Sequence, residues 1–131
     1  MNKLQEKQAA FLISEISYRN SNNRAINSND RCLYSHEFHG GCAIGRKIPQ
    51  ELCLILDGLS ESSVDCNEVF EQLPEELQEL TQDFLTDMQN LHDFRGKAMS
   101  FTEQGLSLCG KDRVKNMIQK YGLEGLDSFL N

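Results

Sequence analysis

Four residues with metal-ligand chemistry fall within eleven positions: Cys32, His36, His39 and Cys42, spaced Cys-x3-His-x2-His-x2-Cys. Two thiolates and two imidazoles can complete a tetrahedral zinc shell. The competing arrangement is a β-hairpin in which Cys32 and Cys42 face each other while His36 and His39 stand exposed at the tip. Reach favours the hairpin, because zinc-finger frameworks usually separate their ligand pairs by about a dozen residues. The same residues would supply a Cys–His nucleophile, yet nothing in the sequence marks an orienting third group or an oxyanion site. His92 lies far along the chain. The sequence therefore assigns no catalytic residue, and its leading reading carries no metal and no cofactor.

A second constellation could hold an anion. Gly41-Cys42-Ala43-Ile44-Gly45-Arg46-Lys47 has the look of a phosphate loop but lacks the glycine-lysine-hydroxyl ending of a Walker motif. Arg24, Gly45 and Arg46 could still make a local anion pocket from backbone amides and guanidinium forks. Against this stands a structural use, in which Arg24 and Arg46 pair with the acidic segment and hold the loop down.

The carboxylates themselves are unevenly placed. The chain has 131 residues and a formal net charge of −7, with 13 Lys+Arg against 20 Asp+Glu. Residues 59–96 hold ten of the acids and only Arg95 as a base, and no Lys or Arg occurs from Glu61 to Asp93. Such a balance argues against binding a nucleic-acid backbone. Glu76, Glu79, Asp83, Asp87 and Asp93 fall at helical spacing on what reads as an outer face. That face either keeps a small protein solvated or steers a basic partner toward it.

The elements that must position these groups follow from periodicity. Leu4, Phe11 and Tyr18, with Leu12 and Ile16 beside them, predict an amphipathic helix over 3–18. Asn20-Ser21-Asn22-Asn23 ends it, and an ordered polar loop runs on to Arg31. Residues 32–46 read as the small hairpin, reversed by Gly40-Gly41. Pro49 to Leu56 reads as a short helix burying Leu52, Leu54, Ile55 and Leu56. Asp65-Cys66-Asn67-Glu68 has the form of a capping box opening a brief turn to Leu73. Pro74 starts a helix whose Leu77, Leu80, Phe84, Met88 and Leu91 recur over about four turns, ending near Gly96. Ser107 caps the last helix, which carries Val114, Met117, Ile118 and Tyr121 to a stop at Gly122. Cys53 and Cys109 lie within helix patterns as small core residues. The reading is a single domain over 1–131, α+β and mostly α: a compact bundle of about four helices with a small hairpin at 32–46. No apolar run is long enough to span a membrane, and the N-terminus lacks a signal-peptide core, so the expected location is cytoplasmic.

The strings Asn23-Arg24-Ala25, Cys32-Leu33-Tyr34 and Gly41-Cys42-Ala43-Ile44-Gly45-Arg46-Lys47-Ile48-Pro49 carry a resemblance. With Leu73-Pro74-Glu75-Glu76-Leu77, Phe84-Leu85, Leu91-His92-Asp93 and Tyr121-Gly122-Leu123, the chain resembles a group of short proteins from tailed bacteriophages and prophages. The cysteines and glycines belong to that pattern and His36 and His39 do not, which weakens the zinc reading further. No activity or catalytic residue comes with the resemblance. It implies a context: an accessory protein made in a bacterial cytoplasm and dispensable for virion assembly. The expected function is a binding or inhibitory module toward a host or defence protein, acting through Glu76, Glu79, Asp83, Asp87 and Asp93. The alternative is a non-catalytic sponge for an anionic, nucleotide-like small molecule at Arg24, Gly45 and Arg46.

Overall fold

The computed structural model describes residues 1–26, 32–59, 63–94 and 98–131. Glu61, Arg95, Gly96 and the 27–31 part of the expected polar loop lie outside them. Helix α1 (Lys3–Tyr18) is followed by a long irregular segment with a 3-10 turn at Gly45–Lys47, then by α2 (Gln50–Asp57). Three helices come next: α3 (Asn67–Glu71), α4 (Glu75–Gln78) and α5 (Gln82–Asp93). Strands β1 (Phe101–Thr102) and β2 (Gly105–Leu106) pair antiparallel, and α6 (Leu108–Tyr121) and a 3-10 turn at Asp127–Phe129 close the chain. The protein is thus mostly helical, α+β, with one small two-stranded hairpin among the described residues. No helix among them is long and apolar enough to cross a membrane.

The apolar periodicity reports the core well. Phe84 is fully buried and meets Phe11 of α1 and Tyr121 of α6 edge-on, with centroids 6.1 and 5.2 Å away. Leu77, Leu80, Met88 and Leu91 are buried with it, alongside Leu12, Ile16 and Val114. Their helix, however, is not continuous. Thr81 adopts φ +80°, a left-handed conformation that a β-branched residue rarely takes, and splits the expected run into α4 and α5. Two polar contacts stabilise the break. Gln8, buried on α1, donates to the Leu80 carbonyl at 2.9 Å, and the Thr81 hydroxyl accepts from the Phe84 N–H as the new N-cap.

The expected hairpin at 32–46 is not formed, and the hairpin sits instead at 101–106. One bond of the expected ladder exists, from the Cys42 N–H to the Leu33 carbonyl at 2.9 Å. Cys32 pairs in an isolated bridge with Ile26. A regular strand needs alternating faces, whereas Tyr34 and Ser35, and then every residue from Gly41 to Gly45, are buried. The reversal itself does fall at Gly40 and Gly41, with φ +79° and +91°.

Three smaller expectations are also corrected. An eight-residue helix buries one stripe, so α2 buries Cys53 and Leu56 while Leu54 and Ile55 remain 56% and 54% exposed. The capping box lies at Asn2 and Gln5, not at 65–68, where Asn67 uses its side-chain oxygen to accept from Gln82. Cys109 is exposed, because α6 turns Gly110, Val114 and Met117 inward.

Candidate functional site

The five carboxylates expected on an outer face divide into two sets. Glu76, Glu79 and Asp83 are exposed, and among them Glu79 pairs with Lys7 at 3.6 Å. Asp87 is half-buried and accepts from Lys120 Nζ at 2.9 Å and from the Tyr121 hydroxyl at 2.5 Å. The bond to Asp87 holds the Lys120 ammonium above its usual range, and burial, then the same carboxylate, pushes the Tyr121 phenol up. Asp93 accepts from His92 Nδ1 at 2.6 Å. Because the Ala25 N–H donates to His92 Nε2 at 3.0 Å, the ring's own proton is placed on Nδ1. Asp87 and Asp93 are therefore structural anchors rather than parts of an open acidic surface.

The residues singled out for zinc do not converge. Cys32 and Cys42 face each other, but both are buried, and burial followed by the neighbouring Cys42 thiol drives the Cys32 thiol well above its ordinary value. Burial likewise pushes the Cys53 thiol up to about 11. Thiols held neutral are poor nucleophiles and poor ligands. His36 and His39 are exposed, and His36 directs Nε2 at the Gly45 and Ile48 carbonyls, 2.8 and 3.0 Å away, so that nitrogen is a donor. No group of three or more potential ligands gathers among the described residues.

What the 32–48 segment builds is a tightly tied loop. Asp57 at the end of α2 accepts from the Tyr34 and Ser35 N–H groups at 2.8 and 3.0 Å. Gln89 donates to the buried Tyr34 hydroxyl at 2.5 Å, and its carbonyl accepts from the Val64 N–H at 2.7 Å. A side chain has no room at Gly45: a Cβ there would lie 2.2 Å from the Tyr34 carbonyl oxygen. The glycine thus serves close backbone packing.

The two arginines assigned to an anion pocket are directed elsewhere. Arg24 donates to the His92, Asp93 and Phe94 carbonyls at 3.2, 2.9 and 2.6 Å, capping the C-terminus of α5. It does hold the loop to the acidic segment, through these backbone carbonyls. Arg46 stacks on the Tyr18 ring at 3.8 Å and faces Glu15 at 3.6 Å, with burial lowering its pKa. Its Nη1 is buried without a hydrogen-bond partner among the described residues.

Sequence reasoning missed the most buried charges. Glu15 and Arg19 pair at 2.9 Å with side chains essentially removed from solvent. Arg19 also donates to the Gly41 carbonyl at 2.9 Å and to the Asn23 carbonyl. The available signal was their i,i+4 spacing beside Ile16, on the side of the helix that carries Leu12.

Among the clefts lined by described residues, three open between or beside helices. One of about 270 Å³ runs between α5 and α6, one of 510 Å³ lies between α1, α5 and α6, and one of 330 Å³ lies beside Lys7, Lys47 and Glu76. None of the three is lined by Arg24, Gly45 or the cysteine pair. The protein is defined at this level as a mostly helical α+β fold carrying an exposed acidic segment and inter-helical clefts. No family model, no curated protein and no solved structure matches the chain.

Proposed function

We propose that this protein is a non-catalytic binding module, a phage-like accessory protein that acts in a bacterial cytoplasm by occupying a basic surface of a host or defence protein. The observation that carries this reading is the stretch from Asp65 to Asp83. It exposes Asp65, Glu68, Glu71, Glu75, Glu76, Glu79 and Asp83, with Val69, Leu73, Leu77 and Leu80 buried beneath. Lys7 is the cation paired with this set among the described residues. A fixed display of like charge accelerates encounter with an opposite surface and selects against acidic ones. The phage-like strings support the context.

The test is capture from nuclease-treated bacterial lysate, comparing the wild type with a Glu75→Gln, Glu76→Gln, Glu79→Gln, Asp83→Asn variant. A defined protein should be retained at about 0.05 M salt and released at about 0.5 M, where charges are screened within a few ångströms. The variant should not retain it, although its melting stays near that of the wild type. Retention that survives neutralisation, or no salt-sensitive retention at all, overturns the reading.

A further inference from the structure

We infer that the cleft between α5 and α6 is a binding site for a planar, heteroaromatic small anion of about single-nucleotide size. Asp87, Asn90, Leu91 and Phe94 on α5 and its cap face Arg113, Asn116, Met117 and Lys120 on α6. Each set recurs at i, i+3, i+4 and i+7, so each helix turns one continuous stripe toward the opening. Two contacts fix the ends of the groove. At one, Lys120 reaches Asp87 at 2.9 Å, and at the other, the Arg113 guanidinium lies 3.3 Å over the Phe94 ring. Buried Leu91 and Met117 form the floor.

The polar groups specify the ligand. The Asn90 and Asn116 carboxamides make no hydrogen bond with any described residue, unlike Gln5, Gln8 and Gln82 in the larger cleft, which donate to backbone carbonyls. Each carboxamide both donates and accepts, which suits the amide-like edge of a heteroaromatic base. Arg113 and Lys120 against Asp87 leave one positive charge in the cleft of a chain with net charge −7, which suits an anion. The Arg113 guanidinium, stacked on Phe94, also donates through Nη1 to the Ala98 carbonyl and to the Ser100 hydroxyl, so its plane is fixed at the end of the groove before any ligand arrives. The volume, about 270 Å³, is near the lower bound for small-ligand clefts, roughly 300 Å³. This site is separate from the acidic surface, and neither reading depends on the other.

Calorimetry of the full chain with AMP, GMP, CMP, UMP, indole-3-carboxylate and inorganic phosphate tests it. At least one ring-bearing anion should bind more tightly than about 1 mM. Nucleotides and the indole acid separate the two sources of such chemistry, and binding by either supports the site. An Asn90→Ala, Asn116→Ala variant, altered only at exposed positions, should bind about tenfold more weakly. Lys115→Ala, outside the cleft, should change affinity by less than about twofold. The side-chain amide resonances of Asn90 and Asn116 should shift on titration of the wild type. Heat from none of the ring compounds, phosphate binding as tightly as they do, or affinity indifferent to both asparagines overturns the inference.

Discussion

The charges around Arg19 and those from Asp65 to Asp83 occupy opposite extremes of solvation. In the first group Glu15 sits between Arg19 and Arg46, and the Glu15–Arg19 pair is essentially out of water. In the second, seven carboxylates stand exposed with one lysine paired to them among the described residues. Buried charge demands fixed partners, because desolvation in a low-dielectric interior is not offset by a single attraction. Exposed charge needs none, and water and salt largely decide its energy. These exposed carboxylates dominate the net charge, yet as charges they contribute little to holding the fold, which the segment supports through its buried Val69, Leu73, Leu77 and Leu80. Three charged residues that hardly register in the composition tie α1 to the loop that carries Gly41 and Gly45.

Removing one member of the buried group should produce the largest effect. Arg19→Met leaves Glu15 buried against Arg46 at 3.6 Å and strips the Gly41 and Asn23 carbonyls of a donor. A loss of about 3–5 kcal/mol in urea unfolding is expected, as for other broken buried pairs. Adding Glu15→Gln should recover part of it, since the isolated charge is then gone. A loss under about 1 kcal/mol would place the pair in solvent and dissolve the contrast.

Asp87 tests the boundary between the two groups. It belongs by sequence to the acidic segment and by contact to the interior, with Tyr121 at 2.5 Å and Lys120 at 2.9 Å. Asp87→Asn should cost about 1–2 kcal/mol, the range for weakening a partly buried charged hydrogen bond. In a double-mutant cycle with Tyr121→Phe the coupling should exceed about 0.5 kcal/mol. Additive effects in chemical denaturation would return Asp87 to the solvent-exposed set.

The legible parts of this molecule were those written in periodic apolar residues or in caps. α1 and α6 stand where Leu12, Ile16, Ser107 and Gly122 placed them, and the core around Phe84 is the expected one. The break at Thr81 was hidden because it depends on Gln8, more than seventy residues away, reaching the Leu80 carbonyl. The 32–48 loop misled for a similar reason. Its alternation and Gly-Gly pair suggest strands, but Arg19, Asp57 and Gln50 take up backbone groups that a ladder would have used. At the sites, residue type was visible and use was not. Arg24 and Arg46 read as anion ligands or, the reading favoured, as ties to the acidic segment until their acceptors and aromatic partner are known, whereas Asn90 and Asn116 carry no local pattern and become interesting only through the cleft they share.

The smallest expected effects lie within the exposed carboxylates, and their signs differ. Glu71 is the last residue of α3, where a negative charge faces the negative end of the helix dipole. Asp83 occupies the first turn of α5, where the same charge is favoured. Mutual repulsion among the seven carboxylates is relieved by neutralising either. Glu71→Gln should therefore gain a few tenths of a kcal/mol, about 0.3, from both terms acting together. For Asp83→Asn the terms oppose, and the net change should stay within about 0.5 kcal/mol on the destabilising side. Thermal melts at about 0.05 M and 0.5 M salt separate the contributions, since screening should shrink both differences. A loss above about 1 kcal/mol from either substitution would mean that the acidic segment holds the fold together as the buried group does.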